Sequence, residues 1–250
     1  MQLGLGLVGL GKPWGVVPHD IPSEAEARAL LEFAYELGIR YFDTAPSYGD
    51  GVSEERLGRF VRGLSDVVVA TKFGEHWNAA ANEPYADHSY DALRRSLDRS
   101  VERLGRVDVL HLHKTTPAAL ASADVARAWD YAESLGIVRL GPSVSDPDSA
   151  ALAIADPRYT VMQLPHNSAR PAFGPAIDAA AARGMWIAVN RPFAMGALAA
   201  DKAAAFDFVL ARRFTGVVLT GTTSREHLAE NYAAFMKSRA ESGPPAAARP

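Results

Sequence analysis

The 250-residue sequence contains no cysteine, which excludes disulfide bonds and thiolate chemistry. A chain without cysteine fits a reducing compartment. An excess of positive charge is also missing, and the formal net charge of −3 argues against a general nucleic-acid-binding protein. No apolar run reaches the roughly 20 residues that cross a bilayer. We therefore expect a cytoplasmic protein that binds neither nucleic acid nor membrane, and we favour a monomer.

The apolar N-terminus, Met1 to Leu10, lacks the positively charged leader and the small-residue cleavage pattern of a signal peptide, and we interpret it as a buried strand. Within it, Gly4, Gly6 and Gly9 form the G-x-G-x-x-G pattern of dinucleotide-binding folds. That pattern is informative only between a strand and a helix. Here three residues precede it and no helical pattern follows. We therefore favour a glycine-rich first strand over a Rossmann motif.

Short β-branched runs alternate with longer amphipathic segments along the chain. The predicted strands are Leu3–Val8, Tyr41–Thr44, Val67–Thr71, Val107–His111, Ile137–Gly141, Val161–Leu164, Trp186–Val189 and Gly216–Thr220. The predicted helices are Ser23–Leu37, Ser53–Val61, Tyr90–Leu104, Pro117–Leu135, Pro147–Ala155, Pro175–Arg183, Lys202–Arg212 and Arg225–Ser238. Strict alternation indicates parallel strands joined by helical crossovers. Eight such units in a chain of this length predict an α/β fold, the (β/α)8 TIM barrel.

The segments between these elements contain no Ser-rich, Gly-rich or charged linker, so a single domain is predicted over residues 1–240. Residues 241–250 are rich in proline and alanine, and we expect a disordered tail there. A doubly wound open sheet alternates strands and helices in the same way and is the competing architecture. The apolar strands fit either fold, because both faces of the sheet are covered in each.

Four ionisable residues stand at, or just after, the carboxyl ends of three consecutive predicted strands: Asp43, Tyr48, Lys72 and His113. In a parallel barrel those ends share one rim, so the four side chains are expected to meet around one pocket. Lys72 ends an apolar run and needs a partner, because an unpaired buried ammonium is costly. Asp43 is the candidate. His111 points the same way as His113; periodicity does not choose between them, but the extreme strand end favours His113.

This set of side chains is suited to proton transfer at a carbonyl group. A free tyrosine has a pKa of about 10, which is too high for efficient proton exchange at neutral pH. The Lys72 ammonium is expected to lower the pKa of Tyr48, and Asp43 to hold Lys72 charged and in place. His113 is expected to orient the substrate oxygen. Because no side chain supplies a hydride, reduction requires an external carrier.

The segments around these residues resemble one known family. Asp43-Thr-Ala-Pro-Ser-Tyr48-Gly, followed by Gly51-Val-Ser-Glu-Glu-Arg-Leu-Gly58, is similar to the signature of the aldo-keto reductases. Thr71-Lys72-Phe-Gly and Leu110-His-Leu-His113 resemble that family's lysine and histidine strands, and the resemblance covers nearly the whole chain. It implies an NAD(P)-dependent oxidoreductase that interconverts a carbonyl and an alcohol. In that family Tyr48 would be the proton donor, tuned by Lys72 and Asp43, with His113 positioning the carbonyl.

The resemblance also implies a cofactor that lies extended across the barrel mouth. The positions that match the family's cofactor contacts, or stand in the matching segments, are Ser143, Gln163, Asn190, Arg191, Gly221, Thr222, Thr223, His227, Glu230 and Asn231. Apart from any family, backbone amides at the start of the last helix favour phosphate binding. NADP is the expected cofactor, with NAD as the alternative, and no metal is expected.

Several of these positions depart from the family pattern. Val144 stands where an asparagine is usual, and Asn190 stands where an aromatic ring commonly packs on the nicotinamide. Gly221 and His227 replace basic residues that in many members contact a 2′-phosphate, with Arg225 as a candidate substitute. These differences leave the choice between NADP and NAD open.

The chain is shorter than typical members of that family, which predicts an open pocket for a small carbonyl substrate. Trp14, Trp77 and Phe193 are the candidate apolar walls. Two other functions stay open at this point. One is a nicotinamide-nucleotide-binding sensor or regulatory barrel with little turnover. The other is a Schiff-base lyase with Lys72 as its nucleophile.

Overall fold

A computed structural model describes residues 1–15, 20–78, 80–81 and 83–241. Its strands are β1 Gln2–Gly6, β2 Tyr41–Asp43, β3 Val68–Phe73, β4 Glu75–Asn78, β5 Glu83–Ala86, β6 Val109–Leu112, β7 Leu140–Pro142, β8 Val161–Pro165, β9 Trp186–Asn190 and β10 Gly216–Thr220. Eight of them form one parallel sheet in the order β7-β6-β3-β2-β1-β10-β9-β8. The predicted count of eight parallel strands is confirmed.

Contacts between β7 and β8 close this sheet into a barrel. A parallel bridge pairs Ser143 with Gln163, and the amide of Val144 donates to the Gln163 carbonyl at 2.8 Å. The approach requires glycine at position 141, because a Cβ on Gly141 would lie 1.7 Å from the carbonyl oxygen of Val161. The barrel prediction is therefore confirmed, and the open-sheet alternative is excluded.

Two buried clusters surround the barrel wall. The smaller one belongs to strand residues alone and fills the interior with Tyr41, Ala70, Val109, Val161, Ala188, Val217 and Leu219. The larger one packs the outward faces of the strands against the helices. Gly4 lies in β1, and a Cβ there would meet the Val217 side chain at 2.6 Å. The G-x-G-x-x-G pattern thus begins inside a barrel strand, as the sequence interpretation held, and not at the start of a helix.

The helices occupy the segments between the strands. They are α1 Glu24–Glu36, α2 Val52–Val61, α3 Tyr90–Leu104, α4 Pro117–Leu120, α5 Ala123–Ser134, α6 Pro147–Ala155, α7 Gly174–Ala182, α8 Lys202–Leu210 and α9 Arg225–Glu241. The single helix predicted over 117–135 is wrong, since Ser122 is extended and separates α4 from α5. The predicted tail begins one residue too early, because Glu241 still belongs to α9; residues 242–250 lie outside the described part of the chain.

An antiparallel hairpin of β4 and β5 follows β3 and was not predicted. Its strands are only four residues long, and every residue of β5 is exposed, so no alternation of apolar and polar residues marks it in the sequence. The hairpin stands on the carboxyl rim of the barrel. It places Glu75, the first residue of β4, in a buried position there.

Candidate active site

The four ionisable residues predicted to share the rim come together at the carboxyl end of the barrel. Asp43 ends β2, Tyr48 follows in the next loop, and His113 comes directly after β6. These three line a cavity of about 720 Å³. Lys72, in β3, lies behind the cavity wall and is only 1% exposed.

The ammonium of Lys72 is held by charge and by hydrogen bonds. Its Nζ donates to Asp43 Oδ1 at 2.6 Å and to the carbonyl oxygen of Thr44 at 2.8 Å. The ring centroid of Tyr48 lies 5.0 Å from the same nitrogen. Burial alone would lower the pKa of Lys72, but Asp43 and Tyr48 outweigh burial and raise it. Lys72 is therefore a fixed cation beside the phenol, with Asp43 as the partner that the sequence predicted.

Close backbone contacts fix the loop that carries Tyr48. A Cβ on Gly11 would lie 2.0 Å from the carbonyl oxygen of Tyr48, and one on Gly49 would lie 2.2 Å from that of Gly11. Glycine at both positions lets the two loops touch. Ser53, in the first turn of α2, accepts a hydrogen bond from Thr44 Oγ1 at 2.9 Å. The residues on either side of Tyr48 thus build the support that holds the phenol at the rim.

Burial raises the pKa of Tyr48 above its ordinary value. Lys72 opposes this through its charge and a hydrogen bond, whereas Asp43 adds to the rise. Lys72 thus acts in the predicted direction on the pKa of Tyr48, but the net pKa is raised because the ammonium offsets only part of the desolvation. Tyr48 rests as the neutral phenol, which is the form that can donate a proton.

A buried carboxylate that sequence reasoning missed lies against the imidazole of His113. Glu75 is 3% exposed, and its Oε2 lies 3.1 Å from His113 Nδ1, without the alignment of a hydrogen bond. Its Oε1 lies 3.0 Å from Nζ of Lys114, and Ser47 Oγ donates to Oε2 at 2.5 Å. The signal was absent from the sequence because Glu75 reaches the rim only through the unpredicted hairpin.

The charges around His113 and Glu75 set their protonation states. Burial lowers the pKa of His113 to about 3; Glu75 opposes this change, and Lys72 and Lys114 add to it. Burial would raise the pKa of Glu75, but His113, Ser47 and Lys114 together lower it. At neutral pH the site therefore holds a neutral imidazole next to an ionised carboxylate.

His111, the alternative histidine, lies deeper in the barrel. It is fully buried, pairs in register with Lys72, and its Nδ1 lies 3.1 Å from the carbonyl oxygen of Gly141. Burial lowers the pKa of His111 to about 4, so it is neutral. Of the two histidines, His113 is the one that lines the cavity. Position at the strand end was the signal that distinguished them.

Nine of the ten residues expected to contact a cofactor line the same cavity. They are Ser143, Gln163, Asn190, Arg191, Gly221, Thr222, Thr223, His227 and Asn231. The tenth, Glu230, is not among the lining residues and instead contacts Nζ of Lys202 at 3.1 Å. Lys202 itself lines the cavity and was not anticipated from the sequence. The expected cofactor residues therefore lie on one surface, except for Glu230. The carboxylate of Glu230 is paired with Lys202, which does line that surface.

A chain of hydrogen bonds joins the two groups of predicted residues. Ser143 Oγ donates to Gln163 Oε1 at 2.8 Å, and Gln163 Nε2 donates to Asp43 Oδ2 at 2.8 Å. Asp43 is thus shared between Gln163 on one oxygen and Lys72 on the other. These hydrogen bonds fix the side chains across the barrel. The bond between Gln163 and Asp43 could not be predicted from the sequence, because the two residues are 120 positions apart.

Apart from His113 Nδ1, three polar atoms of the cavity wall are buried without a hydrogen-bond partner among the described residues: Asn190 Oδ1, Thr220 Oγ1 and Asn231 Oδ1. A buried acceptor without a donor is costly. The three lie on β9, β10 and α9, on the side of the barrel opposite His113. This arrangement fits an extended polar ligand that supplies donors along that side, such as a dinucleotide.

The loop before α9 resembles a phosphate-binding loop, but some of its backbone amides already donate to side chains of the same segment. Thr222 Oγ1 accepts from the amide of Ser224 at 3.0 Å, and Ser224 Oγ accepts from the amide of His227 at 3.2 Å. The guanidinium of Arg225 lies 4.7 Å from the ring centroid of Phe33 and is not a lining group. Arg225 thus lies against Phe33 and not on the cavity wall, and its role as a substitute phosphate-binding residue stays a prediction.

Of the predicted apolar walls, Trp14 and Phe193 line the cavity and Trp77 does not. Trp77 lies in β4, where it pairs with Pro84 of β5. Among the residues described, no group of His, Cys, Asp and Glu side chains has the arrangement of a metal site. No helix within the described ranges combines the length and the apolar character needed to cross a membrane.

Comparison with known proteins gives consistent matches. A family model described as the Aldo/keto reductase family matches residues 2–206. A D-threo-aldose 1-dehydrogenase from a Pseudomonas species is 34% identical over 197 residues, 65% of this chain and 58% of that protein. An L-galactose dehydrogenase from Arabidopsis thaliana is 39% identical over 117 residues, 44% of this chain and 33% of that protein. The chain thus spans less than two thirds of the length of these curated relatives.

A solved structure gives a more extensive match. A putative aldo-keto reductase from Pseudomonas aeruginosa superposes with a TM-score of 0.83 at 30% identity. The superposition covers 95% of this chain and 90% of that one. The chain therefore shares the fold of that protein over nearly its whole length.

Proposed function

Because the chain belongs to the aldo/keto reductase family, with the family match extending over residues 2–206, we propose that it interconverts a carbonyl and an alcohol by hydride transfer. The observation that carries the proposal is the convergence of a neutral phenol, a paired ammonium and a neutral imidazole on one cavity. A nicotinamide dinucleotide supplies or accepts the hydride when bound. We keep a cytoplasmic location and a monomeric state as predictions.

Tyr48 is the proton donor in this proposal. Its hydroxyl gives a proton to the substrate oxygen during reduction, and the resulting phenolate is stabilised by the Lys72 ammonium, whose Nζ lies 5.0 Å from the ring centroid. Asp43 holds that ammonium in place at 2.6 Å. In the oxidation direction the proton transfer is reversed, and the Tyr48 phenolate takes the proton from the alcohol.

His113 is the residue that orients the substrate oxygen. Its imidazole lines the cavity on the other side of the phenol, with ring centroids 6.4 Å apart. Since burial keeps the pKa of His113 at about 3, the ring adds no net charge to the site at neutral pH. A neutral ring leaves the proton transfer to Tyr48 alone.

The residues present fit a dinucleotide along the β8–β9–β10 side of the cavity. We propose that Ser143, Gln163 and Asn190 contact the nicotinamide part and that Arg191 contacts the pyrophosphate. Gly221, Thr222, Thr223 and His227 would hold the adenosine phosphate, and Asn231, supported by the Lys202–Glu230 pair, the adenine. NADP is the expected cofactor and NAD the alternative.

The lyase alternative is weakened by the position of Lys72. A Schiff-base nucleophile must reach the substrate as a neutral amine. Here the ammonium is paired with Asp43, its pKa is raised, and it lies behind the cavity wall. The sensor alternative has no comparable observation in its favour, because the proton-transfer groups are all in place.

The direct test is an absorbance assay of nicotinamide oxidation with NADPH or NADH and a panel of aldehydes. Tyr48→Phe should lower turnover by roughly 100-fold or more, the usual contribution of a positioned proton donor. Nucleotide affinity, followed by protein fluorescence, should be unchanged. Tyr90→Phe is a matched control, since the Tyr90 ring packs against Arg127 at 4.0 Å and does not line the cavity. Full turnover by Tyr48→Phe would contradict the assigned role.

A further inference from the structure

The charges on the cavity wall are paired with two exceptions. The pairs are Glu75 with Lys114 at 3.0 Å, Lys202 with Glu230 at 3.1 Å and Asp43 with Lys72 at 2.6 Å. Two lining cations, Lys12 and Arg191, have no ion pair within the described ranges. The residues outside those ranges include no Asp or Glu, so none of them has a carboxylate side chain to offer either cation.

Arg191 has an anion assigned to it under the proposed function, because it lies on the side that fits the cofactor pyrophosphate. Lys12 does not. It lies in the loop after β1, where its Nζ is 5.6 Å from the ring centroid of Tyr48 and 5.9 Å from that of Trp14. Its charge also acts on His113. Lys12 therefore faces the space beside the reacting groups, where the substrate would sit.

The surroundings of Lys12 do not neutralise it. The carboxylate whose charge acts on Lys12 is Glu75, and its two oxygens already contact Ser47 and Lys114. Contacts with aromatic ring faces offset only part of the cost of taking an ammonium out of water. An anionic group of the ligand would complete the pair, and charge-assisted hydrogen bonds of this kind are strong.

We propose that Lys12 binds an anionic group of the substrate, so that the protein acts on small carbonyl or alcohol compounds that carry a carboxylate or a phosphate. The inference rests on the proposed function and adds the substrate class. The anion pairs with Lys12, while the reacting carbonyl lies against Tyr48 and His113. Trp14, whose ring lies beside Lys12, packs on the hydrocarbon part between the two ends.

The test compares two aldehydes of nearly equal shape that differ in charge, 4-carboxybenzaldehyde and methyl 4-formylbenzoate. The wild-type protein should show a higher kcat/KM for the carboxylate. Lys12→Met should lower kcat/KM for the carboxylate by roughly 10- to 100-fold, the usual range for a charge-assisted hydrogen bond, and leave the ester nearly unchanged. Lys12→Arg should restore most of the preference. Lys237→Met is the matched control, because Lys237 is exposed on α9.

Two outcomes would overturn the inference. One is equal kcat/KM for the two aldehydes in the wild-type protein. The other is an equal loss for both aldehydes in Lys12→Met, which would mean that Lys12 supports Tyr48 or the loop and not an anion.

A binding measurement separates this inference from the proposed function. Each aldehyde is titrated into the protein without added nucleotide, and the tryptophan fluorescence, to which Trp14 contributes, is followed. Tighter binding of the carboxylate that is lost in Lys12→Met supports the anion site even if neither compound turns over, an outcome that would count against the reductase assignment alone. Equal binding of both compounds contradicts the anion site.

Discussion

At the β2–β3 side of the cavity Asp43 and Lys72 are joined at 2.6 Å, whereas at the β10–α9 side Thr220 Oγ1 and Asn231 Oδ1 are buried with no partner among the described residues. The first region is complete without a ligand. The second presents buried polar atoms that a bound ligand can satisfy. A catalytic group must be held in position before substrate arrives, and preorganised charges act without reorganisation. A binding surface can instead leave its hydrogen bonds to be made by what it binds.

The contrast predicts that the same kind of change has different consequences at the two ends. Asp43→Ala leaves Lys72 as an unpaired buried cation, and breaking a buried pair costs roughly 3–5 kcal/mol in the free energy of unfolding. Urea denaturation monitored by circular dichroism measures this cost, and turnover should be lost as well. Asn231→Ala, equally buried, is the comparison and should cost less than about 1 kcal/mol. Similar losses in the two variants would remove the distinction.

A second, smaller effect should appear in the pH dependence of stability. In the folded protein the pKa of His113 is about 3, against an ordinary value of 6.5. Between these values the unfolded chain binds a proton that the folded one does not, so stability is complete above pH 6.5 and falls as the pH drops toward 3. This one group should account for about 2 kcal/mol between pH 6.5 and pH 5.

Urea denaturation at a series of pH values checks this slope. In His113→Asn the slope of the unfolding free energy against pH should decrease by the contribution of one proton. His111, with its pKa lowered to about 4, still contributes to the remaining slope. His227→Asn is the control from the first turn of α9, where the imidazole is exposed. An unchanged slope in His113→Asn would show that the ring is protonated in the folded state.

The smallest effect concerns nucleotide binding. Asn231→Ala should weaken dinucleotide affinity by roughly 10-fold, the value of one hydrogen bond to a polar ligand, and leave the resting fold nearly intact. His227→Arg should raise affinity for NADPH relative to NADH, because it adds a cation where the chain lacks the usual basic residue. Fluorescence titration with both nucleotides measures each change. Equal gains for NADPH and NADH would place His227 away from the 2′-phosphate.

Much of the catalytic region was predictable because it rests on strand ends. Asp43, Lys72 and His113 each follow a buried run, and parallel strands bring such positions to one rim. Glu75 was not predictable, since it belongs to a short exposed hairpin without an apolar pattern. The net direction of the pKa shift of Tyr48 was also missed. It depends on whether the desolvation of the ring outweighs the charge of Lys72, and a sequence does not give the depth of burial.

The sequence alone determined the eight strand–helix units, the barrel and the ionisable groups at its rim, because hydrophobic periodicity is a local property and a barrel of parallel strands brings all strand ends to one rim. The tertiary structure decided the pairings. Gln163 is hydrogen-bonded to Asp43, and Glu75 lies beside His113 and Lys114. Lys12 has no ion pair among the described residues. Those outcomes depend on distances of a few ångströms between residues far apart in the chain, and electrostatic free energies change steeply over such distances.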